Sequence, residues 1–214
     1  MFRVERIYIC GRREVNLEQV RLTGKQVVVR DWRLVDLKSW GEWLKPPRRW
    51  QEFDGPYYPQ PTPGQIYKML ERTQEQITRS SWSEPRAHLV IAERASDKLI
   101  GRVLWHWESE ETFWPQVGIV IFDDALWGKG CGFEALGLWS EYLFENLPDI
   151  VRLDLRTWSG NAGMMRLAEK AGYRLEARFR KARIVKGDYF DGLGYGVLRE
   201  EWQALYPEGF RAAL

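Results

Sequence analysis

Between Trp127 and Gly132 the chain reads Trp-Gly-Lys-Gly-Cys-Gly, and this segment joins an apolar stretch, Val117 to Phe122, to a segment of helical periodicity that starts at Gly130. Alternating glycines at 128, 130 and 132 strip away the side chains that keep a ligand off the backbone. Amides left bare at a helix start have no intrahelical acceptors, and together with the helix dipole they favour an anion, phosphate above all. Trp127, Gly128, Lys129, Gly130, Cys131 and Gly132 therefore make a candidate pyrophosphate cradle. Two common phosphate signatures do not fit it. A nucleotide P-loop needs Ser or Thr after its Gly-Lys, but Lys129 is followed by Gly130, and a dinucleotide fingerprint needs a glycine at position 133, which is Phe. The plain alternative is a glycine-rich turn that only carries a strand into a helix.

Groups able to move a proton are fewer. On an alternating strand over Leu99–Glu108, Leu99, Gly101, Val103, Trp105 and Trp107 share one face, while Arg102, His106 and Glu108 share the other. Glu108 and His106 are the local candidates for a base, although a solvated strand face accounts for His106 and a turn start for Glu108. Glu110 and Glu111 would attract a cationic substrate. Trp105, Trp107 and Trp114 suit either a stacking wall for an acceptor or packing against helices. Arg178, Arg180, Lys181 and Arg183 form a basic strand, open to an anionic partner or to solvent. Cys10 and Cys131 form neither a metal motif nor a disulfide framework, so no metal is expected and a reducing, cytoplasmic setting is the default.

These groups need a scaffold, and composition bounds it. The 214 residues suit one large domain, and 44% hydrophobic residues with 12 Trp exclude a chain too poor in apolar groups to fold. A net charge of +2 argues against a nucleic-acid coat. The apolar run Val117–Phe122 is far short of a membrane span, and the N-terminus lacks a signal-peptide core, so no membrane association is expected. Alternation predicts strands at Phe2–Ile9, Lys25–Arg30, Arg86–Glu93, Leu99–Glu108, Phe113–Phe122, Val151–Trp158, Tyr173–Val185 and Tyr189–Leu198. Helical spacing predicts helices over Asp31–Leu44, from Thr62-Pro63 to about Arg79, over Gly130–Asn146 and over Asn161–Ala171, the last closed by Gly172. Between the first two lies a proline-rich loop, Lys45–Gly64, of the kind that lines substrate sites.

The strand, loop and helix around Trp127, Gly130 and Gly132 resemble the acyl-coenzyme A motif of the GNAT N-acetyltransferase superfamily. The loop's Trp, where most members carry Gln or Arg, is similar to the RimJ/RimL branch. Resemblance continues through Thr157-Trp158-Ser159-Gly160-Asn161, Leu167-Ala168-Glu169-Lys170-Ala171-Gly172-Tyr173, Gly187-Asp188-Tyr189-Phe190-Asp191 and Glu200-Glu201-Trp202, covering about residues 23–203. It implies an α/β (α+β) fold: one GNAT-like domain with a mixed, largely antiparallel sheet of about seven strands and helices on both faces. Residues 1–22 would form an N-terminal extension, 23–203 the acetyltransferase domain and 204–214 a C-terminal tail.

The implied cosubstrate is acetyl-CoA, with a small-molecule amine or a protein N-terminus as acceptor and a homodimer as a possible assembly. The implied pantetheine strand is Gly118–Phe122, with Val120, Ile121 and Phe122 as cofactor contacts and the Val120 backbone as oxyanion donor. Lys129 to Gly132 would hold the pyrophosphate. Asn161 would cap its helix or bond a pantetheine amide. Ala168, Met164 and Gln116 stand where relatives place Tyr, Ser and Glu, which leaves the acid and base open. They also keep alive a second reading, a non-catalytic acyl-CoA-binding sensor.

Overall fold

The computed structural model describes residues 19–214, and the strand expected at Phe2–Ile9 lies outside the described residues. Eight strands form one sheet: β1 (Arg21–Thr23), β2 (Val27–Arg30), β3 (His88–Glu93), β4 (Leu99–Ser109), β5 (Trp114–Ile121), β6 (Arg152–Trp158), β7 (Arg174–Val185) and β8 (Asp188–Leu198). Their order is β1-β2-β3-β4-β5-β6-β8-β7, and every pairing is antiparallel except β5 with β6. The strand that raises the expected seven to eight is β1. Its three residues bury only Leu22, too short a run for alternation to register.

Helices α1 (Leu34–Leu44), α2 (Pro63–Arg79), α3 (Cys131–Asn146), α4 (Ala162–Lys170) and α5 (Arg199–Leu205) cover both faces. One core cluster joins the sheet to α3, α4 and α5 through Leu136, Trp139, Leu143, Ala168 and Trp202, and it extends to Phe210 in residues 204–214. Trp105 and Trp107 pack on this cluster, with Trp105 Nε1 bonded to the Arg86 carbonyl at 2.9 Å. A smaller cluster on the opposite face joins Val90, Ala92 and Phe122 to Trp40, Leu44 and Ile66 of α1 and α2.

Local chemistry fixes the helix starts that frame the site. Thr62 and Gln65 form a reciprocal capping box, with Pro63 in the first turn, as the sequence led us to expect. Arg30 and Asp36, both buried, make a two-pronged ion pair at 2.8 and 3.0 Å that ties α1 to the end of β2. Glu134, also buried, accepts from Gln26 N at 2.8 Å, Gln26 Nε2 at 3.2 Å and Val27 N at 3.3 Å, which fixes the first turn of α3 against β2.

Candidate active site

The two parallel strands pair only at Gln116↔Asp154 and Val117↔Leu155, and beyond Val117 the sheet forks. On its other side β5 stays paired with β4 through Ile121, so one edge of Gly118–Ile121 is satisfied and the other opens into the fork. Hydrogen-bond alternation decides which residues face it. Phe122 N–H donates to the Ile100 carbonyl at 2.8 Å, and in the same register Val120 pairs with Arg102, so the even-numbered residues turn their main chain toward β4. From the other strand, Arg199 N–H donates to the Val151 carbonyl at 2.8 Å, which turns odd residues of β6 toward β8 and leaves Asp154 and Arg156 facing β5. Ile119 and Ile121 therefore present their main chain to the fork.

This corrects two expectations. Val120 does not offer its amide as an oxyanion donor, because strand alternation commits it to β4. Phe122 is not a cofactor contact either: its amide is spent on Ile100, and its 1%-exposed ring sits against Trp43 and Trp50 in the smaller core cluster. Ile121 turns its main chain toward the fork. Its carbonyl accepts from Trp127 Nε1 at 3.0 Å, a bond that folds the glycine loop back toward β5.

The loop has the backbone that its glycines allow. Gly128 and Gly130 lie at φ +74° and +96°, a region that costs other L-residues about 1–2 kcal/mol. Gly130 is the N-cap of α3 and carries no side-chain cap, and the first intrahelical bond is Glu134 N–H to its carbonyl at 3.1 Å. The amides of Cys131, Gly132 and Phe133 precede that bond, as the first turn of any helix requires. Lys129 is exposed beside them. The Cys131 thiol turns inward instead; it is 5% exposed, and burial, then Glu134, push it above its ordinary range. Only its main chain can serve the cradle.

A strap from the proline-rich loop crosses the open end of the fork. The Phe53 carbonyl accepts from Trp158 Nε1 at 2.9 Å and Asn161 Nδ2 at 3.2 Å, while its ring meets Trp127 edge-on at 5.4 Å. Asn161 Oδ1 caps α4 by accepting Met164 N–H at 3.0 Å, so both ends of its amide are engaged within the protein. A cleft of about 490 Å³ lies between this loop and the β7–β8 hairpin, with Phe53, Trp158, Lys186 and Phe190 among its walls.

The proposed bases lie at the closed end of the fork. His106 registers opposite Gln116 and is exposed, and Glu108 reaches across β5 to Arg156 at 3.5 Å. Opposite the open stretch, the ionisable β4 side chain is Arg102, which feels the charge of Asp54 on the strap. Crowding by protein raises the Asp54 carboxyl above its usual range, and Arg102 offsets part of that rise. Sequence reading missed Asp54, which sits in a loop without periodicity. Arg102 shared a predicted face with His106 and Glu108, and only the register singles it out.

Met164 is half-buried on α4, and Ala168 is fully buried in its packed face, so neither brings an acid to the fork. Arg178 pairs with Asp191 and Arg183 lies over the Tyr57 ring at 4.5 Å, which accounts for half of the basic strand. Among the described residues no His, Cys, Asp and Glu cluster suits a metal, and no helix is long and apolar enough to cross a membrane.

Residues 26–174 match the family described as the acetyltransferase (GNAT) domain, and the chain belongs to that family. An uncharacterized prophage-derived N-acetyltransferase of Bacillus subtilis, YokL, is 33% identical over 76 residues, or 36% of this chain and 42% of the relative. The fold is similar to that of a GNAT-family acetyltransferase from Bacillus anthracis (TM-score 0.65, 16% identity, 85% of this chain and 99% of that one). It is also similar to spermidine N-acetyltransferase from Vibrio cholerae, solved with CoA and spermine (TM-score 0.65, 16% identity, 84% and 99%).

Proposed function

We propose that the chain is an acetyl-CoA-dependent N-acetyltransferase in which a primary amine attacks the thioester directly. The observation that carries this reading is the fork: Ile119 and Ile121 turn their main chain away from β4 on a line that ends at the glycine loop and the start of α3, with only the Ile121 carbonyl taken among the described residues, by Trp127 Nε1. A pantetheine arm can pair there as a short strand, and its diphosphate would meet the amides of Cys131, Gly132 and Phe133. On attack, the new C–N bond forms and the C–S bond breaks. The carbonyl oxygen becomes an oxyanion, for which Ile119 N–H, turned toward the fork, is the candidate donor. The amine loses one proton and the thiolate gains one, so the sum is amide plus free thiol. Asp54, an exposed carboxylate on the strap, is the candidate to accept the amine proton. The Trp127-Gly128-Lys129-Gly130 run supports a place near the RimJ/RimL branch.

Isothermal titration with acetyl-CoA, followed by free-thiol release across peptides, polyamines, aminoglycosides and amino acids, tests the reading. Saturable binding with thiol release from at least one amine is expected. Binding without turnover of any amine would establish the sensor reading instead, which Ala168 and Met164 motivate, and absence of binding at millimolar acetyl-CoA would sink both.

A further inference from the structure

Two enclosed guanidinium groups, Arg30 and Arg199, are well supplied with acceptors, whereas the Nε atoms of Arg102 and Arg183 are sealed without one. Arg30 bonds Asp36, Asp97 and the Asp31 carbonyl, and Arg199 donates to the carbonyls of Ile150, Phe144 and Leu147 at 2.7–2.9 Å. Arg102 is different. Its Nε is sealed from solvent without a hydrogen-bond partner, and among the described residues no oxygen accepts from any of its nitrogens. Its contacts are the Trp40 ring face at 5.7 Å and the field of Asp54.

Arg102 is half-buried, and a guanidinium N–H sealed from solvent, as its Nε is, is ordinarily paired. The missing acceptor therefore points to a ligand. Position says which ligand. Arg102 registers opposite Val120, on the α1 and α2 face of the sheet, whereas Gly132 and the start of α3 lie on the other face beside Ile121 and Leu167. The phosphates of acetyl-CoA belong to that second face. The strap also carries the exposed Asp54, whose charge Arg102 feels without a direct ion pair between them.

We infer that Arg102 receives a carboxylate carried by the acetyl acceptor, so that the acceptor class is amines with a carboxylate a few atoms from the nitrogen, the ammonium facing Asp54. This rests on the acetyltransferase reading and narrows it. A planar fork suits a carboxylate, which can accept two parallel N–H bonds. The neighbouring cation and anion match a zwitterion in charge and order, and they repel a polycation at Arg102.

The test uses the intact chain saturated with CoA or acetyl-CoA and acceptor pairs that differ only in the carboxylate: phenylalanine against phenethylamine, lysine against cadaverine. Binding by calorimetry and thiol release are read separately. Wild type is expected to favour the carboxylated member by roughly 10- to 100-fold, the worth of one charge-assisted bond pair. Arg102→Met is expected to bring that ratio toward one, and Arg102→Lys to retain part of it, while acetyl-CoA affinity stays within threefold of wild type. Should Arg102→Met fail to fold, the wild-type ratio and the lysine variant decide. Preference for the bare amine, equal loss on both members, absence of any carboxylate preference, or a tenfold loss of acetyl-CoA affinity on Arg102→Met overturns the inference. Carboxylate-dependent binding without thiol release supports it and defeats the acetyltransferase reading, so the two failures are distinguishable.

Discussion

Substituting the two left-handed loop glycines separates backbone strain from packing. Gly128 lies at φ +74° with no atom within 4 Å of an added Cβ, so Gly128→Ala bears only the dihedral cost, about 1–2 kcal/mol. Gly130 lies at φ +96°, and a Cβ there would stand 2.8 Å from Gln26 Nε2, the atom that donates to buried Glu134 at 3.2 Å. Gly130→Ala must displace that amide as well. Losing a hydrogen bond to a charged group costs about 1.5–3 kcal/mol, so the total is about 3–5 kcal/mol. For a chain of this size, ~1 kcal/mol moves Tm by roughly 2–4 °C, which predicts losses of about 2–8 °C for Gly128→Ala and about 6–20 °C for Gly130→Ala. Differential scanning calorimetry of both variants, of Gln26→Ala and of the Gln26→Ala/Gly130→Ala double variant closes the cycle. With Gln26 already truncated there is nothing left to displace, so the double variant should be less damaged than the sum by about 1.5–3 kcal/mol. Additive losses, or equal damage from the two glycine substitutions, would refute the assignment of Gln26 as the obstacle.

Two further outcomes are expected. Asn161→Ala removes both the α4 cap and a bond to the strap, so it should lower stability by about 1 kcal/mol and speed limited proteolysis within Lys45–Gly64; Asn161→Asp keeps the cap and should change only the proteolysis. His88, between the rings of Trp32 and Trp82, has its pKa lowered from 6.5 to about 4 by burial first and by Arg102 and Arg72 after it. The unfolded chain takes up this proton below 6.5 and the folded chain only near 4, so the stabilisation is complete above pH 6.5 and lost as pH falls toward 4. The loss is on the order of 3 kcal/mol, and urea midpoints at pH 7 and 4.5 should converge for His88→Asn relative to wild type. A wild-type pH dependence in that variant would rule His88 out as its source.

Much of the scaffold was legible along the chain because it depends on local periodicity and caps. The helix opened by Thr62 and Pro63, the β3–β4–β5 meander, the Asn161 cap and the glycine loop each declare themselves within a few residues. Face assignment succeeded on the same ground, placing Trp105 and Trp107 opposite His106, since alternation is a property of one strand. The direction of a strand's amides is different, because it depends on which neighbour it pairs with and in what register. One step of register turns the Val120 and Phe122 amides toward β4 and the Ile119 amide toward the fork.

Sequence by itself determined that a bare-backbone loop joins an apolar strand to a helix, and therefore where unpaired amides gather at a helix start. Tertiary structure decided what stands opposite that backbone: where β5 and β6 part, which carbonyl ties down the strap, and that Arg102 Nε is sealed without an acceptor. The reason is physical. Dihedral preference and periodicity act within a turn or two of chain, whereas the fork and its charges come from residues near 54, 102, 119 and 158, which only the packed sheet brings together.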